Sequence, residues 1–154
     1  MDKKTAIEVG VMQEYDTEVA AQMGKLLTSL SSHATGEPVT REWIEEEISS
    51  PWHDVLLAFD GKTLVGMASL SVLMGTMIER VAYLEDFVVD STKQGKGIGS
   101  LLWQEILRWA EKKGCKRLEF TSSGKGKKQQ AVDFYLSKGA EIRETNCFRK
   151  EIQE

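Results

Sequence analysis

The sequence of 154 residues predicts a mixed α/β domain in which helices pack on a sheet. Two observations carry this prediction. Apolar runs typical of strands alternate with amphipathic segments of helical spacing, in the order β-α-α-β-β-β-α-β-α-β. In addition, the apolar run 80–89 is followed by glycines at positions 95, 97 and 99, which lead directly into an amphipathic helix. The length is that of one domain, which we expect to span residues 1–154.

The chain begins with a predicted strand and an amphipathic helix. Residues 5–12 form the strand, and the helix starts from Asp16 or Thr17, since either side chain can cap it. Helical spacing places the apolar residues of this segment on one face: Val19, Met23, Leu26, Leu27 and Leu30.

A second helix and a hairpin follow. Thr40 caps the helix, which ends before Pro51 because the residue preceding a proline is disfavoured in the helical region. The turn signal at 60–62, Asp-Gly-Lys, joins two strands predicted at 55–59 and 64–73.

The second half predicts two further helices and at least three strands. A strand at 80–89 precedes a helix at 98–113, which Gly114 ends. A strand at 116–122 and a short helix at 129–138 follow, and the tail is predicted to add one or two final strands. The helix at 98–113 has a predicted apolar stripe of Ile98, Leu101, Leu102, Ile106, Trp109 and Ala110.

Composition excludes several classes of function. The net charge of −4 argues against nucleic-acid binding, which needs a basic surface. No apolar run is long enough to span a membrane and no signal pattern opens the chain, so we expect a cytoplasmic protein without membrane contact. Cys115 and Cys147 lack metal-ligand spacing, and His33 and His53 do not cluster with them, so no metal site is predicted.

The glycine-rich loop that opens a helix is suited to binding a phosphate. Glycines let the backbone approach a ligand closely, and the first amides of a helix lack intrahelical partners. The dinucleotide pattern G-x-G-x-x-G fails here, because Ser100 or Leu102 stands where its third glycine belongs. The mononucleotide P-loop pattern fails as well around residues 124–128, which lack the upstream glycine.

The pattern Gln94-x-x-Gly97-x-Gly99, by contrast, resembles the signature of the GNAT superfamily of N-acetyltransferases. Phe134-Tyr135-x-x-x-Gly139-Ala140 further along the chain resembles a second GNAT segment. Within the superfamily, Tyr83–Ser100 is most similar to diamine (spermidine/spermine) N-acetyltransferases, and the Glu85-Asp86 pair is also similar to that of glucosamine-phosphate acetyltransferases. The resemblance implies a mixed central sheet that splays between its fourth and fifth strands.

The resemblance also implies acetyl-CoA as co-substrate. Its pyrophosphate would lie over the loop formed by Gln94, Gly95, Lys96, Gly97, Ile98, Gly99 and Ser100. Its pantetheine arm would run along the backbone of Phe87, Val88 and Val89, where a strand amide near Val88 would stabilise the developing oxyanion. The same three apolar residues also fit an ordinary buried strand, and this alternative stays open.

Glu85 is the residue that matches a glutamate of diamine acetyltransferases thought to act through water, so the resemblance implies a general base at this position. A carboxylate in an otherwise apolar strand is costly unless it has a role or a partner. The alternative for Glu85 or Asp86 is a salt bridge, for example with Arg80 or Lys116. We favour that alternative for Asp86, which strand alternation directs to the opposite face.

Tyr135 falls where the family carries a tyrosine near the CoA sulfur, suited to protonating the leaving thiolate. The alternative is an aromatic residue on a buried stripe with Ala131 and Phe134. Two positions depart from the usual pattern: Lys128 stands where an Asn is common, and Gln94 where an Arg is common. Lys125, Lys127 and Lys128 could attract a CoA phosphate or simply form a solvated loop.

The predicted function is direct transfer of acetyl from acetyl-CoA to a primary amine of a small molecule, with a polyamine or diamine as the best candidate. Alternatives are a protein or peptide amine, or a non-catalytic domain that binds acyl-CoA. Homodimers are common in the resembled family, and we expect one here. An acidic surface that could attract a cationic amine, or simply face solvent, is formed by Glu37, Glu42, Glu45, Glu46 and Glu47.

Overall fold

The computed structural model describes residues 6–75, 77, 79–122 and 129–152. The chain divides into two compact units, Met1–Phe120 and Thr121–Glu154. The run of lysines at 125–128 lies outside the described residues, so its predicted contact with a CoA phosphate stays a prediction. None of the helices in the described ranges has both the length and the apolar character needed to cross a bilayer.

The first unit contains nearly all of the regular structure that is described. Its elements are β1 (Ile7–Val11), α1 (Thr17–Leu27), α2 (Arg41–Ser49), β2 (His53–Asp60), β3 (Thr63–Met74), β4 (Arg80–Val89), a 3₁₀ turn (Ser91–Lys93), α3 (Ile98–Lys112) and β5 (Arg117–Phe120). The second unit contains α4 (Gln129–Ser137), after which Gly139 adopts a left-handed φ of 83°.

The five described strands form one mixed sheet in the order β1-β2-β3-β4-β5. The first four strands are antiparallel, and β4 pairs with β5 in parallel. That parallel ladder covers Val81–Leu84 of β4 only, although β4 continues to Val89. The parallel pairing of β4 with β5 confirms the predicted mixed sheet, and its end at Leu84 fits the predicted splay.

Helices pack on both faces of the sheet, and successive residues of β3 point alternately to the two faces. Gly66 lies against Leu102 and Ile98 of α3, and a Cβ at this glycine would come within 2.8 Å of the Leu102 side chain. The next residue, Met67, is buried on the other face in a core with α1 and α2. That core includes Ala20, Met23, Leu26, Ile44, Val55, Leu57 and Val88.

Several local predictions are confirmed by the capping geometry. Asp16 accepts a hydrogen bond from the Val19 amide at the start of α1, and Thr40 accepts one from the Trp43 amide at the start of α2. These side chains satisfy amides that would otherwise lack partners. The strand predicted at 80–89 has the observed bounds of β4.

Two local predictions are wrong. Leu101 was placed on the apolar stripe of α3 but is 38% exposed, whereas Trp103 is buried there and packs edge-on against Phe120. The tail also forms no strand over 139–152. Its apolar residues Ile142 and Phe148 stand exposed, and each has at least one charged neighbour, so the tail lacks the continuous apolar face that a strand buries on a sheet.

Candidate active site

Glu85 occupies a β-bulge in the middle of β4. The pairing between β3 and β4 runs from Ser69 opposite Asp86 directly to Leu70 opposite Leu84, so Glu85 is left without a partner across the ladder. An unpaired residue of this kind bends the strand and re-aims its side chain, and bulges are common beside active sites. The Glu85 side chain is 40% exposed, so solvent and small molecules can reach it.

Two side chains on neighbouring strands hold the Glu85 carboxylate. Ser71 of β3 donates its hydroxyl to Oε1 at 2.8 Å, and His53 of β2 places Nε2 2.9 Å from Oε2. His53 and Ser71 lie directly opposite each other in the β2–β3 ladder. The three residues therefore form a continuous row across β2, β3 and β4, on the face covered by α1 and α2.

Asp86 lies on the same face as Glu85, which contradicts the prediction that it points to the opposite one. Its carboxylate bonds to the side chain of Ser69, and Ser69 and Ser71 share a face because they are two residues apart in β3. The bulge is the physical cause, since one extra residue resets the alternation after Glu85. The predicted salt bridge of Asp86 with Arg80 is also absent: Arg80 donates to the Lys113 carbonyl instead.

Glu47 of α2 adds a third carboxylate to this cluster. Its Oε1 lies 4.0 Å from Nε2 of His53, and its side chain is 17% exposed. Burial raises the pKa of Glu47, while the neighbouring His53 and a hydrogen bond from Trp43 act in the opposite direction. Of the five glutamates predicted to form an acidic surface, Glu47 faces this cluster, whereas Glu45, for example, pairs with Arg41 in solvent.

The burial of Asp86 should have a measurable effect on the stability of the fold. Desolvation raises its pKa in the folded protein above the ordinary aspartate value, so ionisation costs folding free energy as pH rises past about 4. Asp86→Asn removes that charge and retains a partner for Ser69. We expect this variant to melt about 1–3 °C above wild type at pH 7, after allowance for solvent screening, with the difference vanishing below about pH 3.

Asp90→Asn is a matched control of opposite sign. The Thr92 amide and then the Thr92 hydroxyl donate to Asp90 and lower its pKa, so its ionised form stabilises the fold at neutral pH. This variant should melt below wild type at pH 7, with the deficit fading as pH falls. Thermal melts of both variants between pH 3 and 8 test the pair, and a lower melting temperature for Asp86→Asn at pH 7 would contradict the assignment.

The glycine loop adopts the backbone that its sequence requires. Gly95 and Gly97 have φ of 79° and 81°, and an added Cβ at either would meet no heavy atom within 4 Å. Gly97 opens α3 without a side-chain cap, and the first intrahelical bond runs from the Leu101 amide to the Gly97 carbonyl. The loop therefore combines open space with the amides of a helix N-terminus, the arrangement that binds anions.

The loop is tied to the strand that carries Glu85. Gln94 donates its side-chain amide to the Val89 carbonyl at 3.4 Å, and Lys96 stands exposed at the loop. In β4, Val88 is buried in the core opposite Met67, while Phe87 and Val89 are half-buried. The predicted pantetheine strand thus also contributes to the core, as the alternative interpretation anticipated.

Tyr135 lies in the second unit, on α4. Its ring packs edge-on against Phe134 at 5.7 Å, and burial raises the pKa of its hydroxyl. Lys138 lies over the Phe134 ring at 5.3 Å. No residue of α4 is fully buried, so the predicted stripe with Ala131 is only partly covered.

Sequence reasoning missed His53 and Ser71. His53 had no cluster of partners along the chain and therefore gave no local signal. The one available signal was the hairpin turn at 60–62: counting back along both strands brings His53 opposite the 70–71 region of β3.

Comparison with known proteins decides the family. The model of the acetyltransferase (GNAT) family matches residues 23–140, which include the cluster, the glycine loop and Tyr135. The chain belongs to the GNAT acetyltransferase family. GNAT acetyltransferases use acetyl-CoA as acetyl donor, and the predicted acetyltransferase activity is confirmed at this level. No curated protein sequence matches this GNAT chain significantly.

Solved structures with the same fold include several acetyltransferases. An aminoglycoside acetyltransferase from an uncultured soil metagenomic sample, in complex with trehalose, has a TM-score of 0.79 at 20% identity over 95% of this chain and 97% of that one. An acetyltransferase of Trypanosoma brucei has a TM-score of 0.74 at 21% identity, covering 96% and 100%. The aminoglycoside N-acetyltransferase AAC(6')-Iy, in complex with CoA, has a TM-score of 0.78 at 16% identity, covering 98% of each chain. Identities this low establish the GNAT fold alone.

Proposed function

We propose that this GNAT acetyltransferase moves the acetyl group of acetyl-CoA to a primary amine of a small molecule, by direct attack within a ternary complex. The observation that carries the proposal is the Glu85 carboxylate on its bulge, hydrogen-bonded and still 40% exposed. An alkyl ammonium has a pKa of about 10.4, so at neutral pH a base must take its proton before it can attack a thioester. Glu85, acting directly or through one water, is that base.

The glycine loop supplies the cofactor site in this proposal. Backbone amides of residues 94–100 hold the pyrophosphate of acetyl-CoA, and the positive φ of Gly95 and Gly97 supports this role because only glycine adopts it without strain. The backbone of Phe87, Val88 and Val89 receives the pantetheine arm. The parallel ladder between β4 and β5 ends at Leu84, before this stretch of β4 begins.

Tyr135 is the proposed acid that protonates the departing CoA thiolate. Burial raises the pKa of its hydroxyl, so the group keeps its proton at neutral pH and can donate it. We expect Tyr135→Phe to lower kcat about 10- to 100-fold with little change in KM for acetyl-CoA. Tyr15→Phe, whose ring faces Arg41, is the control and should leave kcat unchanged. Steady-state rates between pH 6 and 10 test this, and equal rates for wild type and Tyr135→Phe across that range would remove the acid role.

The acceptor is proposed to be a cationic amine, with polyamines and diamines first. Three carboxylates face the proposed reaction site, from Glu47, Glu85 and Asp86, and His53 is the basic side chain that faces them. Such a cluster attracts a protonated amine and disfavours an anionic acceptor. Similar structures include two aminoglycoside acetyltransferase complexes, one of them with sisomicin, and aminoglycosides are also small molecules with several amines.

Direct transfer is favoured over an acetyl-cysteine intermediate. Burial raises the pKa of the Cys115 thiol, a direction that reduces the reactive thiolate. A ternary-complex mechanism gives intersecting lines in double-reciprocal plots, whereas a covalent intermediate gives parallel lines. The homodimer and the cytoplasmic location remain predictions from the resemblance and the composition.

An amine screen tests the proposal. Release of CoA thiol is followed with polyamines, diamines, aminoglycosides, amino sugars and a lysine-containing peptide, each at varied acetyl-CoA. We expect turnover on at least one small cationic amine, with intersecting lines. Turnover on the peptide alone would overturn the small-molecule acceptor, and binding of acetyl-CoA without turnover on any amine would overturn the enzyme mechanism.

A further inference from the structure

The His53 imidazole is a polar group of the site. It has no role in the cofactor binding or the acetyl transfer proposed above. We propose that His53 is a positioning residue, whose Nε2–H, together with the Ser71 hydroxyl, holds the Glu85 carboxylate aimed at the acceptor amine. This inference rests on the proposed function, because it assigns Glu85 the role of base.

Each oxygen of the Glu85 carboxylate has a hydrogen-bond partner on another strand of the sheet. Oε1 of Glu85 accepts from Ser71 at 2.8 Å, and Oε2 lies 2.9 Å from Nε2 of His53. Two donors on one carboxylate favour its charged form, which is the form that a general base needs. The remaining lone pairs face the exposed side, where a substrate ammonium or a bridging water can approach.

The other ring nitrogen decides which tautomer His53 adopts. Nδ1 is buried and has no hydrogen-bond partner among the described residues. A hydrogen on Nδ1 would be a buried donor without an acceptor, which costs more than an unpaired lone pair on a neutral ring. The hydrogen of the neutral ring therefore lies on Nε2, where it donates to Glu85. In this tautomer Nε2 has no lone pair for a substrate proton, so His53 supports the base and does not replace it.

The charged side chains that the structure places near the His53 ring are carboxylates. Glu85 of β4 lies at hydrogen-bond distance, Glu47 of α2 lies 4.0 Å away, and Asp86 of β4 interacts with the ring electrostatically. Burial raises the pKa values of Glu47 and Asp86, and the neighbouring carboxylates add a smaller effect in the same direction. Glu85 is the carboxylate of this cluster that His53 holds by a hydrogen bond.

The tautomer is tested independently of activity. Nitrogen-15 NMR of the histidine rings distinguishes a protonated from a bare ring nitrogen, and the chain has only two histidines, His33 and His53. His53→Gln assigns the signals by removing one set. At pH 7 we expect one ring with a bare Nδ1 and a protonated Nε2. A hydrogen on Nδ1 of His53 at that pH, whether in the other neutral tautomer or in the imidazolium, would overturn the assignment.

The catalytic consequence is tested with two substitutions that differ in one donor. In His53→Gln the side-chain amide nitrogen stands near the position of Nε2 and can still donate to Glu85, whereas His53→Leu removes the donor. We expect His53→Leu to lower kcat/KM about 10- to 100-fold. His53→Gln should keep most of the wild-type rate, because it keeps the donor.

The outcomes separate this inference from the proposed function. Equal loss of rate in both variants, at melting temperatures near wild type, would overturn the positioning role. Absence of turnover in wild type would overturn the proposed function itself. An active wild type with the wrong tautomer would overturn the His53 assignment alone.

Discussion

Glu85→Gln is expected to lower kcat about 10²- to 10⁴-fold, the usual contribution of a general base. The amide keeps the size of the side chain, and its oxygen can accept from His53 while its NH2 donates to the Ser71 oxygen, but it cannot take the proton of a substrate ammonium. The remaining activity should rise with pH up to the pKa of the amine, because only the fraction of amine that is already neutral can react. Acetyl-CoA affinity should stay within about threefold of wild type, since the loop is intact.

Glu46→Gln is the matched control for Glu85→Gln. It makes the same chemical change on an exposed residue of α2. Both variants should fold, as judged by their melting temperatures, and the control should keep the wild-type rate. A Glu85→Gln enzyme with more than about a third of wild-type kcat at pH 7 would mean that another group removes the proton.

Gly97→Glu is expected to weaken acetyl-CoA binding about tenfold or more, which is 1.4 kcal/mol or more. The new side chain would enter the open space beside Gly97, where we propose the pyrophosphate lies, and its charge would repel the phosphates. The substitution also strains the backbone, because φ at this glycine is 81°. Strain alone could therefore lower the stability of the variant without any change in its ligand site.

Gly61→Glu separates these two effects. Gly61 has a φ of 61° and equally open surroundings, but it lies in the β2–β3 turn. Both variants add a charged side chain at a glycine with positive φ, and they differ in where that glycine lies in the fold. Calorimetric titration with acetyl-CoA should show lost affinity for Gly97→Glu and wild-type affinity for Gly61→Glu. Equal acetyl-CoA affinity in both variants would contradict binding of the cofactor at the loop.

Much of the fold follows from local sequence signals. The caps at Asp16 and Thr40, the turn at 60–62 and the glycine at 114 each have a direct physical effect on the backbone. Structure and sequence therefore agree on most element bounds. The tail did not follow its apparent pattern, because a strand also needs a neighbour and an apolar face, and neither is encoded locally.

The site was less predictable from the sequence, because the pairing register between strands determines which side chains meet there. Alternation along β4 predicts opposite faces for Glu85 and Asp86, yet one bulged residue puts both on the same face. A second irregularity near Val65 shifts β2 against β3 by one residue and brings His53 opposite Ser71. Such bulges belong to the pairing of two strands, so no short window of sequence reveals them. The glycine loop, by contrast, was predictable because positive φ selects glycine directly.

The most direct test of the whole account is the fate of the acetyl group. Wild-type protein is incubated with acetyl-CoA labelled with carbon-13 in the acetyl group and with the amine that the screen favours, and the products are followed by NMR and mass spectrometry. The account predicts the label in an amide on a primary amine of the small molecule, at a rate that Glu85→Gln strongly reduces. Label found only in acetate, on unreacted acetyl-CoA or on protein lysines would contradict it.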